Sequence, residues 1–100
     1  ETTVGLGLIK NVIIDQHFLK RSRYNRLLSA LVEFPDHIGI GIDESTALIV
    51  RNKEIEIAGE SEVIVVQKPK GITKSKKENL VRIKRLEMAV YTEGQKFKIK

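Results

Sequence analysis

Hydrophobic positions change their period along this chain, and each change marks an element. Val12-Ile13-Ile14 is an unbroken apolar run of β-formers, the composition of a strand buried on both faces. From Ser22 to Glu33 the period becomes helical. Tyr24, Leu27, Leu28, Leu31 and Val32 fall at i, i+3, i+4, i+7 and i+8, a single apolar stripe. Ser22 is the expected N-cap, and Pro35 ends the helix because it disfavours helical geometry at Phe34. Beyond Pro35-Asp36 the period becomes two. Ile38 to Ile42 is a strand with glycine on one face, which permits a close neighbour. Ala47 to Val50 is a second strand, Asn52-Lys53 a turn, and Glu54 to Ile57 a strand with one wet and one buried face. Gly59-Glu60-Ser61 turns the chain into Val63 to Gln67. The expected product is a run of short antiparallel strands.

Three segments are less regular. Thr2 to Lys10 holds Gly5 and Gly7, and reads either as a loop or as a close pass beneath another backbone. Lys68 to Asn79 contains Pro69, Gly71 and five lysines and reads as a loop. Leu80 to Tyr91 is compatible with strand or helix. Val90-Tyr91, the polar Thr92 to Gln95 and Phe97 to Ile99 predict a closing hairpin. No repeat and no second domain appears.

Composition narrows the class. One hundred residues, 41% of them hydrophobic, fit one small globular domain. No apolar run approaches the length of a membrane span, and no signal segment is visible at the start. The chain begins at Glu1 rather than Met, as expected for a processed product or a piece of a longer polypeptide. Cysteine is absent, which removes disulfides and thiolate metal sites. The net charge of +5 fits an acidic substrate, nucleic acid or an anionic surface. It is concentrated at Lys20 to Arg26 and Lys68 to Arg85.

Candidate chemistry gathers after the first buried strand. Asp15, Gln16 and His17 follow Val12-Ile13-Ile14, and Arg21, Arg23 and Arg26 follow within nine residues of the histidine. Open α/β sheets present their chemistry at the carboxyl ends of strands. His17 is either a structural histidine or a general base, and a base needs a partner that fixes its tautomer. In an extended segment Asp15 shares a face with His17. The arginines are either a solvated helix end or an anion site. Cations at a helix N-terminus oppose the macrodipole unless an anion binds, which favours carboxylate or phosphate recognition. Asp43-Glu44 reads as a turn, the acid of a triad, or a metal ligand, the last without further ligands at suitable spacing. His37 reads as a surface residue. The lysine-rich segment has no aromatic residues among its lysines, so a solvated loop is favoured over nucleic-acid binding. Among the serines Ser22, Ser29, Ser45, Ser61 and Ser75, none sits in a G-x-S-x-G elbow. The chain therefore holds a candidate base without a nucleophile to activate.

Val12 to Phe18, then Arg21 and Arg23 to Leu28, then Gly39 to Glu44 with Thr46-Ala47, resemble the C-terminal part of cyanophycinase. This family of serine peptidases is related to the aspartyl dipeptidases. The resemblance is strong over Gly5 to Val50 and looser beyond. It implies an α/β fold: the C-terminal portion of a flavodoxin-like, class I glutamine amidotransferase-like sheet with a β-rich C-terminal end. Residues 1–100 would be the C-terminal part of a single hydrolytic domain, whose N-terminal part carries the nucleophilic serine. The strand at Val12 to Ile14 would then have parallel neighbours on both sides.

The implied activity is exopeptidase hydrolysis of cyanophycin, a poly-aspartate with arginine joined to each β-carboxylate, to β-Asp-Arg dipeptides. His17 matches the family's catalytic histidine and Glu44 the acid of its second motif. Asp15, Gln16, Arg21, Arg23 and Arg26 match substrate-pocket positions. Arginine forks suit carboxylates, and Asp15 would hold the substrate's arginine side chain. The resemblance implies a homodimer in the cytoplasm, with a secreted form also compatible. It implies no cofactor, metal or membrane, and disfavours nucleic acid as a partner. The competing reading is a small basic module that grips an acidic polymer or nucleic acid without catalysis.

Overall fold

The computed structural model describes residues 2–4, 11–15, 24–43, 45–75 and 80–99. It is a mixed α/β fold dominated by strands. A five-stranded sheet has the order β1-β2-β3-β6-β9, formed by Thr2–Val4, Val12–Asp15, Ile38–Gly41, Val63–Lys70 and Arg85–Tyr91. A second sheet has the order β10-β5-β4, from Lys96–Lys98, Glu54–Gly59 and Thr46–Arg51. The helix α1, Tyr24–Glu33, packs on the opposite face of the larger sheet, giving three layers.

Strand alternation explains why the larger sheet needs cover on both sides. Val12, Ile40, Val63 and Val65 pack with Ile55 and Ile57 of the smaller sheet. Their neighbours Ile13, Ile64 and Val66 point the other way and meet Leu27 and Leu31 of α1. The unbroken run Val63 to Val66 is therefore buried on both faces. Of the helical stripe, Leu27 and Leu31 are fully buried, Val32 nearly so and Leu28 half-buried. Gly39 is where the helix comes closest. A Cβ there would lie 2.9 Å from Val66 Cγ2 and 3.0 Å from Leu27 Cδ1. The helix ends as expected, with Phe34 N–H bonded to Ala30 O at 3.0 Å just before Pro35.

Several expectations are corrected. The strand Val12–Asp15 has a parallel neighbour only on the β3 side; β1 pairs with it antiparallel, Thr3 opposite Ile14. Residues 68–75 are not one loop but two strand segments joined at Gly71 and Ile72. Strand β6 runs on to Lys70, and β7 (Thr73–Ser75) pairs antiparallel with β8 (Leu80–Arg82). Pro69 is accommodated because the β6–β9 register shifts between Gln67 and Lys70, where the ladder does not require its missing N–H. The Leu80 to Tyr91 segment is strand. The closing hairpin does not form: β9 pairs with β6, whereas β10 pairs with β5 in the other sheet. The turn between them is real, and Tyr91 and Phe97 still meet across it with stacked rings 4.6 Å apart. Gly5, Gly7, Ser22 and residues 76–79 lie outside the described residues.

Candidate functional site

The parallel pair β2–β3 gives the larger sheet a carboxyl edge, and Asp15 and Gly41 stand opposite each other there. Asp15 O accepts a hydrogen bond from Ile42 N at 3.0 Å, which continues the pairing one residue beyond β3. The Asp15 side chain faces the helix side, like Ile13 two residues before it, and is completely buried. Arg26, in the first turn of α1, reaches it with both arms of its guanidinium. NH2 bonds Oδ1 at 2.6 Å and Nε bonds Oδ2 at 3.2 Å. This is a fork-to-fork pair, short and geometrically specific. The Arg26 side chain remains 36% exposed, so its outer face is open to solvent.

The sequence reading assigned Asp15 and Arg26 separately to substrate; the fold brings them onto each other. Composition offers no signal for such a pairing, because the residues are eleven apart and meet only once α1 lies on β2. A buried carboxylate needs a partner of this kind, since an uncompensated charge in the core is strongly disfavoured.

Beyond β3 the chain crosses to the smaller sheet through Asp43, Ser45 and Thr46. Asp43 Oδ1 accepts from Ser45 N and Ser45 Oγ, both at 2.9 Å. This is an Asx turn, in which the side chain takes the place of a backbone acceptor. Ser45 Oγ lies 3.1 Å from Ser61 Oγ, and Thr46 Oγ1 accepts from Ser61 N at 3.1 Å. The hydroxyl of Ser61 holds the Asp43 carboxyl below its ordinary pKa; partial desolvation opposes this, and Ser45 and Thr46 add to the lowering. The D-x-S-T order was the available signal for this turn. Its link to Ser61, sixteen residues after Ser45, was not legible.

The return crossing from β5 to β6 lies beside the first. Gly59 has φ 142°, and a Cβ there would lie 2.3 Å from Ser45 O, so only glycine fits at the contact. The Gly59 N–H also donates to Glu93 Oε2 at 2.6 Å, which ties in the β9–β10 turn. Three crossings between the sheets therefore gather at the edge that carries Asp15.

Among the candidate residues, Gln16, His17, Arg21, Arg23 and Glu44 lie outside the described residues. His37, read as a surface residue, is half-buried against Phe34, with ring centroids 5.0 Å apart, and its Nδ1 is buried with no partner among the described residues. Among the described residues no three His, Cys, Asp or Glu side chains group as metal ligands, and no helix is long and apolar enough to cross a membrane.

No family model matches the chain. Individual proteins do. Over 67 residues, 66% of this chain, it is 48% identical to a cyanophycinase of Geminocystis herdmanii. Over the same length it is 46% identical to a cyanophycinase of Trichormus variabilis and 39% identical to one of Synechococcus elongatus. The matched stretch is 25%, 22% and 21% of those proteins respectively, so the chain spans at most about a quarter of the relatives it matches.

Proposed function

We propose that this chain, homologous over two thirds of its length to cyanophycinases, is the part of a cyanophycin-degrading peptidase that supplies the catalytic histidine and much of the substrate pocket. The observation that carries the reading is identity of 39–48% over 66% of the chain to proteins of that one name.

In this reading the enzyme is a serine peptidase. His17 takes the proton from a serine hydroxyl contributed by a preceding part of the same enzyme, as that oxygen attacks the scissile carbonyl. It then passes the proton to the leaving amine. Glu44 orients the imidazole and stabilises its cationic form.

In a β-Asp-Arg product the arginine's amino group is acylated, so each polymer repeat keeps one arginine carboxylate and one guanidinium. Arg21 and Arg23 bind the carboxylate, with Gln16 as a neutral hydrogen-bonding neighbour. The geometry of Asp15 changes its proposed role. Being fully buried and bound by Arg26, it acts as a positioning residue that fixes Arg26 at the carboxyl edge of β2.

The test is hydrolysis of cyanophycin by the intact protein and its His17→Ala variant. The expected result is release of β-Asp-Arg dipeptide by the parent. The variant should lose activity by at least about a hundredfold, the lower end of a general base's contribution. Undiminished turnover in a correctly folded His17→Ala protein would overturn the assignment.

A further inference from the structure

The end of the molecule opposite Asp15 holds a cleft of about 560 Å³, walled by both sheets. Lys68 and Lys70, at the end of β6, and Lys98, at the end of β10, line it together with His37, Asp36 and Gln67. Strand register fixes its position. Ile38, in the wall, begins β3, whereas Gly41, opposite Asp15, ends it. Three residue steps along a strand place the two sites on the order of 10 Å apart or more.

The cleft is built by a specific distortion. The β6–β9 register shifts between Gln67 and Lys70, and Lys68 has φ 54°, a left-handed conformation uncommon for a residue with a side chain. Bulges of this kind re-aim a side chain. Here three lysines from two sheets line one cavity, with Asp36 in its wall and Glu87 Oε2 3.6 Å from Lys68 Nζ.

We propose that this cleft is an anchoring site for a carboxylate-bearing polypeptide: a stretch of the polymer substrate held away from the reacting edge. The identity of the polymer rests on the function proposed above. The wall fits that chemistry better than a nucleic acid. Among the described residues it contains no aromatic ring besides His37 on which bases could stack, and no arginine. A repeat carrying one carboxylate and one guanidinium meets lysines for the first and Asp36 or Glu87 for the second. An anchor of this kind raises the effective concentration of a long substrate at the reacting edge without touching the chemistry.

The test uses a synthetic (β-Asp-Arg)4 peptide and the intact protein carrying His17→Ala, so that peptide is not consumed. Binding is measured by calorimetry, and its location by NMR shifts of Gln67, Lys70 and Lys98. The expected result is shifts at those residues and affinity lowered roughly three- to tenfold by Lys70→Gln/Lys98→Gln, the size of two partly solvated charge contacts. In the parent background the same pair of substitutions should slow hydrolysis of the polymer and leave turnover of a two-repeat peptide unchanged.

Unchanged affinity in the Lys70→Gln/Lys98→Gln protein, or displacement of the peptide by a single-stranded DNA dodecamer at equal charge, would overturn the site. A protein that cleaves cyanophycin but shows no shifts in the cleft refutes the anchor alone. One that shows the shifts but does not cleave refutes the proposed activity and leaves the anchor standing.

Discussion

The Asp15–Arg26 pair is open to a quantitative test. Arg26→Met keeps most of the unbranched apolar stem and removes the charge, leaving the Asp15 carboxylate, which is fully buried, without this guanidinium. Removing one partner of a fully buried pair costs about 3–5 kcal/mol, because the remaining charge is stranded. Arg26 is 36% exposed, so water can approach the site once it is gone, and the expected loss falls to roughly 2–3 kcal/mol. Asp15→Asn leaves a neutral acceptor beside an arginine that can turn to solvent, and should cost about 1–2 kcal/mol. If the pair acts as a unit, the double substitution is less destabilised than the sum of the singles by at least about 1 kcal/mol. Urea unfolding followed by circular dichroism reads these differences directly. With slopes of about 1–3 kcal/mol/M, Arg26→Met should move the midpoint down by on the order of 1 M. A midpoint unchanged within about 0.2 M, or strictly additive singles and double, would refute the claim that this bidentate contact holds β2 to α1.

Other substitutions test the layers and the edge. Gly39→Ala should destabilise by about 1–3 kcal/mol in the same assay, because the new methyl meets Val66 and Leu27 at 2.9 and 3.0 Å in a packed core. Gly59→Ala should cost at least as much and perturb the amide resonances of Ser45 and Thr46, since the added carbon runs into the Ser45 backbone. Ser61→Ala should raise the Asp43 pKa toward its ordinary value, read from the carboxyl carbon in an NMR titration. The native Asp43 pKa is depressed, so its contribution to stability is present above the ordinary value of 3.8 and is lost as pH falls through the native pKa. Ser61→Ala should therefore reduce stability at neutral pH and flatten its decline in acid.

Legibility in the sequence follows the range of the interaction. The Leu27–Leu31 stripe and its stop at Pro35 are local, and they read correctly. Val63 to Val66 read correctly as a strand, because continuous apolar residues require cover on both faces. What failed depended on partners distant in the chain. Pro69, Gly71 and the lysines around them have loop composition, but the β9 ladder carries β6 past Pro69 to Lys70 by shifting register. Tyr91 and Phe97 flank a genuine turn, and proximity alone implied a hairpin. Their strands instead enter different sheets because Val63 and Ile55 offer the matching partners. At the site, the motif drew attention to Asp15 and Arg26 but could not tell that each is bound by the other.

The three crossings at the Asp15 edge stitch the two sheets along a single seam. The hydroxyls of Ser45, Thr46 and Ser61 and the Glu93 contact to Gly59 act as its threads. At the far end, where β4 turns into β5 through Asn52, the bond from Ile99 N to Lys53 O continues the β5–β10 pairing within the smaller sheet, and the sheets meet through side-chain packing. Among the described residues the seam end is thus the more heavily hydrogen-bonded, like the crease of a folded sheet of card. Local opening begins where fewest bonds oppose it. Under the function proposed above, the better-tied end is the one whose groups must keep their geometry for chemistry. The other end carries the lysine cleft, where, under the proposed anchor, a polymer of variable conformation is better met by walls that can part.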